Sequence, residues 1–127
     1  MGKAALVDSD IENGKKLLEA LEKSSFPVQT ALWLYKSEAD AWRLVIASVL
    51  VDRKGPRAAY RRLRAELARS PAVGVPFSDV SLVSTRDELI RALRSAVRTG
   101  PGTSAIRFSN NVVGNFFGDD AYVYRVL

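Results

Sequence analysis

Apolar positions recur at two spacings along the chain. Ile11, Leu17, Leu18 and Leu21 fall at helical intervals behind the caps offered by Asp8-Ser9-Asp10, which predicts a first helix over 10–23. Gly14 lies inside that helix, where glycine costs about 1 kcal/mol against alanine, so its expected reason is close packing on a sheet. Residues 28–35 and 42–51 are rich in Val, Leu, Ile and Trp, and the polar link 36–41 between them predicts a β-hairpin. Setting Tyr35 opposite Trp42 puts Trp33 against Leu44 and Ala31 against Ile46 on one face. On the other, Leu34, Leu32 and Val28 meet Arg43, Val45 and Val49. Both faces are substantially apolar, so both need cover, from helices of the chain or from a second copy.

Gly55-Pro56 places proline in the first turn of a second helix over 56–69, whose inner side carries Ala59, Tyr60, Leu63 and Leu67. Arg57, Arg61 and Arg64 form one ridge on its outer side and Arg62 and Arg69 another, with Glu66 a partner for Arg62 one turn on. Residues 70–78 hold two prolines and a glycine and read as a loop. A short strand is expected over 80–83. Thr85-Arg86-Asp87-Glu88 then reads as a capping box for a third helix that ends at Thr99-Gly100, with apolar Leu89, Ile90, Leu93, Ala96 and Val97 opposite Arg91, Arg94 and Arg98. Strands are expected at about 104–109, 112–117 and 121–126, with Asn110-Asn111 and Gly118-Asp119-Asp120 as turns. The order α-β-β-α-β-α-β-β(-β) predicts one α/β (α+β) domain over 1–127, a single mixed sheet of five to six strands flanked by three helices. Its two strand-helix-strand passages favour some parallel pairing.

Composition narrows the chemistry. The chain has 127 residues, 47% of them hydrophobic, which suffices for a core without staples, and it has neither Cys nor His. Thiol chemistry, structural zinc, Ser-His-Asp catalysis and imidazole general bases are therefore outside the reach of the chain alone. No cofactor or metal is indicated. No apolar run suits a signal peptide or a membrane span, so a soluble, cytoplasmic protein with no membrane partner is expected. The formal charge of +5 is polarised: residues 53–98 carry a balance of +7 and the rest −2, which suggests an anionic partner or a solubilising surface.

The stretches Arg98-Thr99-Gly100-Pro101-Gly102-Thr103-Ser104-Ala105-Ile106-Arg107-Phe108-Ser109, Asp120-Ala121-Tyr122-Val123-Tyr124-Arg125 and Leu50-Val51-Asp52-Arg53-Lys54-Gly55-Pro56-Arg57 make the chain resemble a group of small, uncharacterised bacterial α/β proteins. The resemblance spans most of the chain. It implies a bacterial origin and brings no catalytic signature and no site residue with it.

Four constellations are candidates for function. Arg57, Arg61, Arg64, Arg91, Arg94 and Arg98 would neutralise phosphates of a nucleic acid or other polyanion if they converged on one surface, with a solvated basic face as the plain alternative. Trp33, Tyr35 and Trp42 should cluster near the hairpin turn, as core, as a subunit interface, or as a stacking platform if exposed. Thr99-Gly100-Pro101-Gly102-Thr103-Ser104 has the glycines of a phosphate loop but lacks the Walker spacing and follows a helix, so a helix stop is expected. Asp40 and Asp52-Arg53-Lys54 imitate a metal-dependent nuclease, but one continuous strand would hold the two acids about 40 Å apart. The expected function is a non-enzymatic binding or assembly module, homodimeric through apolar sheet surface. Binding of nucleic acid or another polyanion through the Arg-rich helices is a second reading, and a carboxylate-based enzyme a third.

Overall fold

The hairpin forms in the expected register. β1 (Thr30–Lys36) and β2 (Ala41–Ala47) pair antiparallel with Tyr35 opposite Trp42, Trp33 opposite Leu44 and Ala31 opposite Ile46. The structure, a computed structural model, describes residues 5–36, 38–108 and 120–127. Val28 lies ahead of the strand and packs on the Trp33 side, so the expected pairing of Val28 with Val49 does not occur.

β2 stops at Ala47 rather than at 51. Ser48 is the local cause: its Oγ donates to Pro27 O at 2.6 Å and accepts from Leu50 N at 3.1 Å, capping a short helix, α2 (Val49–Lys54). The run Val49-Leu50-Val51 fits a buried strand and a helix turn equally well by pattern alone. Gly55, at φ 87°, takes the left-handed backbone that turns the chain from α2 into α3 (Pro56–Arg69), and Pro56 sits in the first turn as expected. The first helix, α1, runs Asp8–Lys23; Asp10 closes its start by accepting from Val7 N at 3.0 Å.

β3 (Val80–Val83) follows the 70–78 loop, and α4 (Glu88–Ala96) follows β3. The cap of α4 is Asp87, whose Oδ1 accepts from Leu89 N at 3.0 Å, and not Thr85, whose hydroxyl donates to Asp52 Oδ2 at 2.6 Å. The helix also ends at Ala96, ahead of the expected Thr99. β4 (Ile106–Phe108) and β5 (Ala121–Val126) complete the described elements. The expected strand 112–117 and the turns Asn110-Asn111 and Gly118-Asp119 lie outside the described residues.

The described residues form a single mixed five-stranded sheet of order β3-β2-β1-β5-β4 with four α-helices. Among these strands only β2 and β3 pair in parallel. The passage from β2 to β3 supplies that pair, while the passage from β3 to β4 carries the chain across to the opposite edge. Side-chain alternation then divides the core. Ala31, Trp33, Leu44 and Ile46 pack with Leu17, Leu18 and Leu21 of α1 and Ala59 and Leu63 of α3. Leu32, Leu34, Val45 and Val123 pack on the other side with Ile90 and Leu93 of α4. Both faces are thus covered by helices of the same chain, which removes the uncovered face that argued for a second copy.

α1 is tied down by the last strand. Tyr124 Oη donates to Ile11 O at 2.6 Å and accepts from Trp33 Nε1 at 3.0 Å, and a Cβ on Gly14 would collide with that hydroxyl. A register shift between Ala31 and Leu32 marks a β-bulge, which lets the neighbours Tyr124 and Arg125 both reach α1. Arg125, buried, pairs with Glu22 and donates to Val28 O at 3.2 Å. Among the described residues no helix is long and apolar enough to cross a membrane.

Candidate functional site

The carboxyl ends of the parallel strands point the chain in opposite directions. After β2, α2 and α3 turn onto the face that bears Trp33; after β3, α4 turns onto the other. Backbone leaving adjacent parallel strands to opposite faces opens a crevice between them, the place where open α/β sheets take ligands. At this end of the sheet, Asp52 of α2 accepts from the side chain of Ser84 and from Thr85 Oγ1, just past β3. These hydroxyls, Ser84 first, hold the Asp52 carboxyl below the usual carboxylate range, although the group is exposed.

On the α4 side of this sheet end lies a cleft of about 210 Å³. Gln29 and Thr30, where β1 starts, form its floor with Val49, and Thr85, Ile90 and Arg94 form its wall, with Leu127 beside them. Two of these residues stand out chemically. Thr30 is fully buried and its Oγ1 has no hydrogen-bond partner; Arg94 Nε is also buried without one. They are the buried side-chain polar atoms left unsatisfied among the described residues, and both line the same cleft. Each such group costs about 1–3 kcal/mol of desolvation that nothing in the fold returns. Gln29, by contrast, is engaged, its Oε1 accepting from Val49 N at 2.9 Å.

A larger groove of about 480 Å³ runs between α1 and α3 past Lys16, Lys23, Glu66 and Arg69. Its buried acid, Glu66, is already ion-paired to Arg69 rather than to the expected Arg62, so no unmet polar group draws a ligand there. Arg62 instead donates to Ser24 O at 2.8 Å and lies over the Phe26 ring.

The six candidate arginines do not converge. Arg57, Arg61 and Arg64 ride on α3 over one sheet face, and Arg91 and Arg94 on α4, with Arg98 just past its end, over the other. Arg64 is stacked on Phe77 at 4.5 Å, and Arg94, expected on the outer side, is half-buried and turned toward the cleft. Arg91, Arg94, Ser95 and Arg98 do line one shallow depression, and none of the three arginines has a carboxylate partner among the described residues.

Trp33, Tyr35 and Trp42 cluster as expected, but as core. Both indoles are buried in the chain's own interior, so the pair presents no open surface to a second copy or to a base. Tyr35 packs against Trp42 with the rings tilted and their centroids 5.5 Å apart, and bonds Asp40, while Arg107 stands over Trp42 at 5.3 Å. The glycine-rich segment lies against β5, with Thr99 N donating to Val126 O at 2.8 Å and Ser104 N to Tyr124 O at 2.6 Å. Those amides are used by the sheet. Asp40 and Asp52 remain at opposite ends of β2 even though the strand is broken at Ser48, since seven residues of strand alone span about 20 Å.

Arg94 is one of the arginines that the sequence marks as candidates for an anion, whereas Thr30 belongs to none of the four constellations. The signal for it existed. Thr30 shares the alternation of Leu32 and Leu34, so it is a lone hydroxyl at an apolar strand position. No protein-family model, curated protein sequence or solved structure matches the chain.

Proposed function

We propose that the protein is a non-enzymatic binding module whose ligand is a small molecule seated in the cleft at the carboxyl ends of β2 and β3. The observation that carries this reading is a cleft lined mostly by apolar and neutral side chains with one half-buried cation, Arg94, among them. Asp52, held below the usual carboxylate range by two hydroxyls beside this sheet end, is a poor general acid. The test is amide chemical-shift mapping of the whole chain against a mixed set of carboxylates, amines and neutral amides. Saturable shifts confined to Gln29, Thr30, Val49, Ile90 and Arg94 are expected; a set that leaves these amides unmoved defeats the reading.

A second reading has one observation in its favour: Arg91, Arg94 and Arg98, which have no carboxylate partner among the described residues, line one depression at the C-terminal end of α4. Such a face would bind a nucleic acid or other polyanion through phosphate contacts. Anisotropy titrations with DNA and RNA at about 50 and 200 mM salt should then show a steep loss of affinity, and Arg91→Glu with Arg98→Glu should abolish binding. Affinity that ignores both salt and the reversals rejects it.

A further inference from the structure

We infer that the outer edge of β3 is a pairing surface for a second copy of the chain, held shut by Tyr60 of α3 and Arg43 of β2, which reach it from opposite faces of the sheet. β3 is an outer strand and pairs on one side only, with β2. Val83 O accepts from Ser48 N at 3.2 Å, so Val83 and, by alternation, Ser81 turn their backbone groups toward β2. Val80 and Leu82 then aim N–H and C=O outward, the arrangement that offers an outer strand as a template to another chain.

Each outward group is taken within the chain. Val80 N donates to Phe77 O in the turn ahead of the strand, and Val80 O accepts from Arg43 Nη2 at 3.0 Å. Leu82 N donates to Tyr60 Oη at 2.9 Å, and the same hydroxyl stands 3.5 Å from Leu82 O. Arg43 alternates with Leu44 and so emerges on the α4 side, where its Nε donates to Ser81 Oγ at 2.7 Å and its Nη1 to Ser78 O at 3.0 Å. Tyr60 descends from α3 on the other side, its ring set edge-on to Phe77 with centroids 5.9 Å apart. Its hydroxyl thus fills the place where a backbone group of the next strand would lie.

The edge beneath this clamp is self-complementary. Val80 and Leu82 flank Ser81, so a two-fold axis at Ser81 sets Val80 of one copy against Leu82 of the other, each exchanging both backbone bonds in an antiparallel ladder. A foreign partner would need an exposed strand of its own, whereas a second copy brings one by symmetry. The interface lies on neither face of the sheet, so the helices that cover the faces stay in place. β3 has only the four residues Val80–Val83, so the paired form is a reversible dimer rather than a filament.

The chain has no cysteine, so a single thiol at the symmetry point reports the pairing. Opposed residues of a non-hydrogen-bonded antiparallel pair have Cα atoms about 4.5 Å apart, within the reach of a disulfide. The experiment places Ser81→Cys in the full chain with Tyr60 intact and with Tyr60→Leu, which keeps an apolar side chain on α3 but is too short to reach Leu82. In an oxidising glutathione buffer the first should remain monomeric and the second should form a disulfide dimer. A thiol on the exposed surface of α4, Ser95→Cys with Tyr60→Leu, measures random collision; the Ser81 thiol should crosslink at least about tenfold faster, because pairing raises its effective concentration. Arg43→Leu opens the edge from the other face and takes the place of Tyr60→Leu if that variant does not fold. Equal crosslinking with Tyr60 intact overturns the clamp. A folded, opened variant whose Ser81 thiol is no faster than the Ser95 thiol overturns the pairing surface.

Discussion

At the scale of single residues, the junction of Gly14, Trp33 and Tyr124 concentrates more constraint than any part of the cleft. The Tyr124 hydroxyl occupies the space a methyl group on residue 14 would need. Gly14→Ala should therefore destabilise the protein by about 1–3 kcal/mol in urea denaturation, through overpacking, despite the better helix propensity of alanine. The penalty should shrink in a Tyr124→Phe background, where the colliding oxygen is gone; a penalty unchanged in the double variant would assign the strain to Trp33 Nε1 instead, 2.9 Å from the same point. Burial, foremost, raises the Tyr124 phenol well above its ordinary value of 10.0. A raised pKa in the fold means that the protonated group stabilises, so this contribution is complete below about pH 10 and is lost as the pH climbs from there toward the folded value. Tyrosinate absorbance should show one phenol that titrates only with unfolding. The glycine was legible as a packing position from its place in an amphipathic helix, but its partner was not, because nothing local connects residue 14 to residue 124.

Among the elements, what could be read depended on whether the pattern was periodic or a matter of one polar atom. The β1–β2 register followed from matching apolar faces and holds from Thr30 to Lys36. The bounds of α3 and β3 were likewise legible, set by Gly55-Pro56 and by the prolines of the 70–78 loop. Where the reading failed, a side chain had a better offer from a distant segment. Thr85 does not cap α4 because Asp52 takes its hydroxyl, and Val49 does not extend β2 because Ser48 starts a helix. Two predictions belong here. Ser48→Ala should cost about 1–2 kcal/mol by chemical denaturation, as it loses a helix cap and the bond to Pro27. Asp52→Asn should cost about 1 kcal/mol or less, given the exposure of the site. The pH dependence has a definite sign: the Asp52 pKa is lowered in the fold, so its contribution is full above the ordinary carboxylate range and disappears as the pH falls through the lowered value. Wild type and Asp52→Asn should therefore converge in stability in acid.

For the whole molecule, the two-sided cover of the sheet decides more than its charge does. The expected dimer drew on apolar faces, and each face now has its own helices, so light scattering should return the monomer mass of 13.9 kDa. A doubled mass would require an interface away from both faces. The same layering explains why a basic central third does not make one basic patch: α3 and α4 are consecutive helices sent to opposite sides. Charge totals were visible in the sequence, but their direction in space depends on which face each crossover takes. So does the cleft, which exists because β2 and β3 release the chain to different sides.

The strand order also governs how the protein comes into being. β1 sits at the centre of the sheet, flanked by β2, which follows it at once, and by β5, drawn from residues 121–126. While a ribosome is still making the intervening residues, the far edge of β1 has its backbone donors and acceptors unmatched, and the slot beside Gly14 waits for Tyr124. Closing that gap is a long-range step, slow compared with the hairpin, and an open central edge is prone to recruit strands from other chains in the interval. Synthesis of this protein therefore passes through a sticky half-sheet that only the last strand retires.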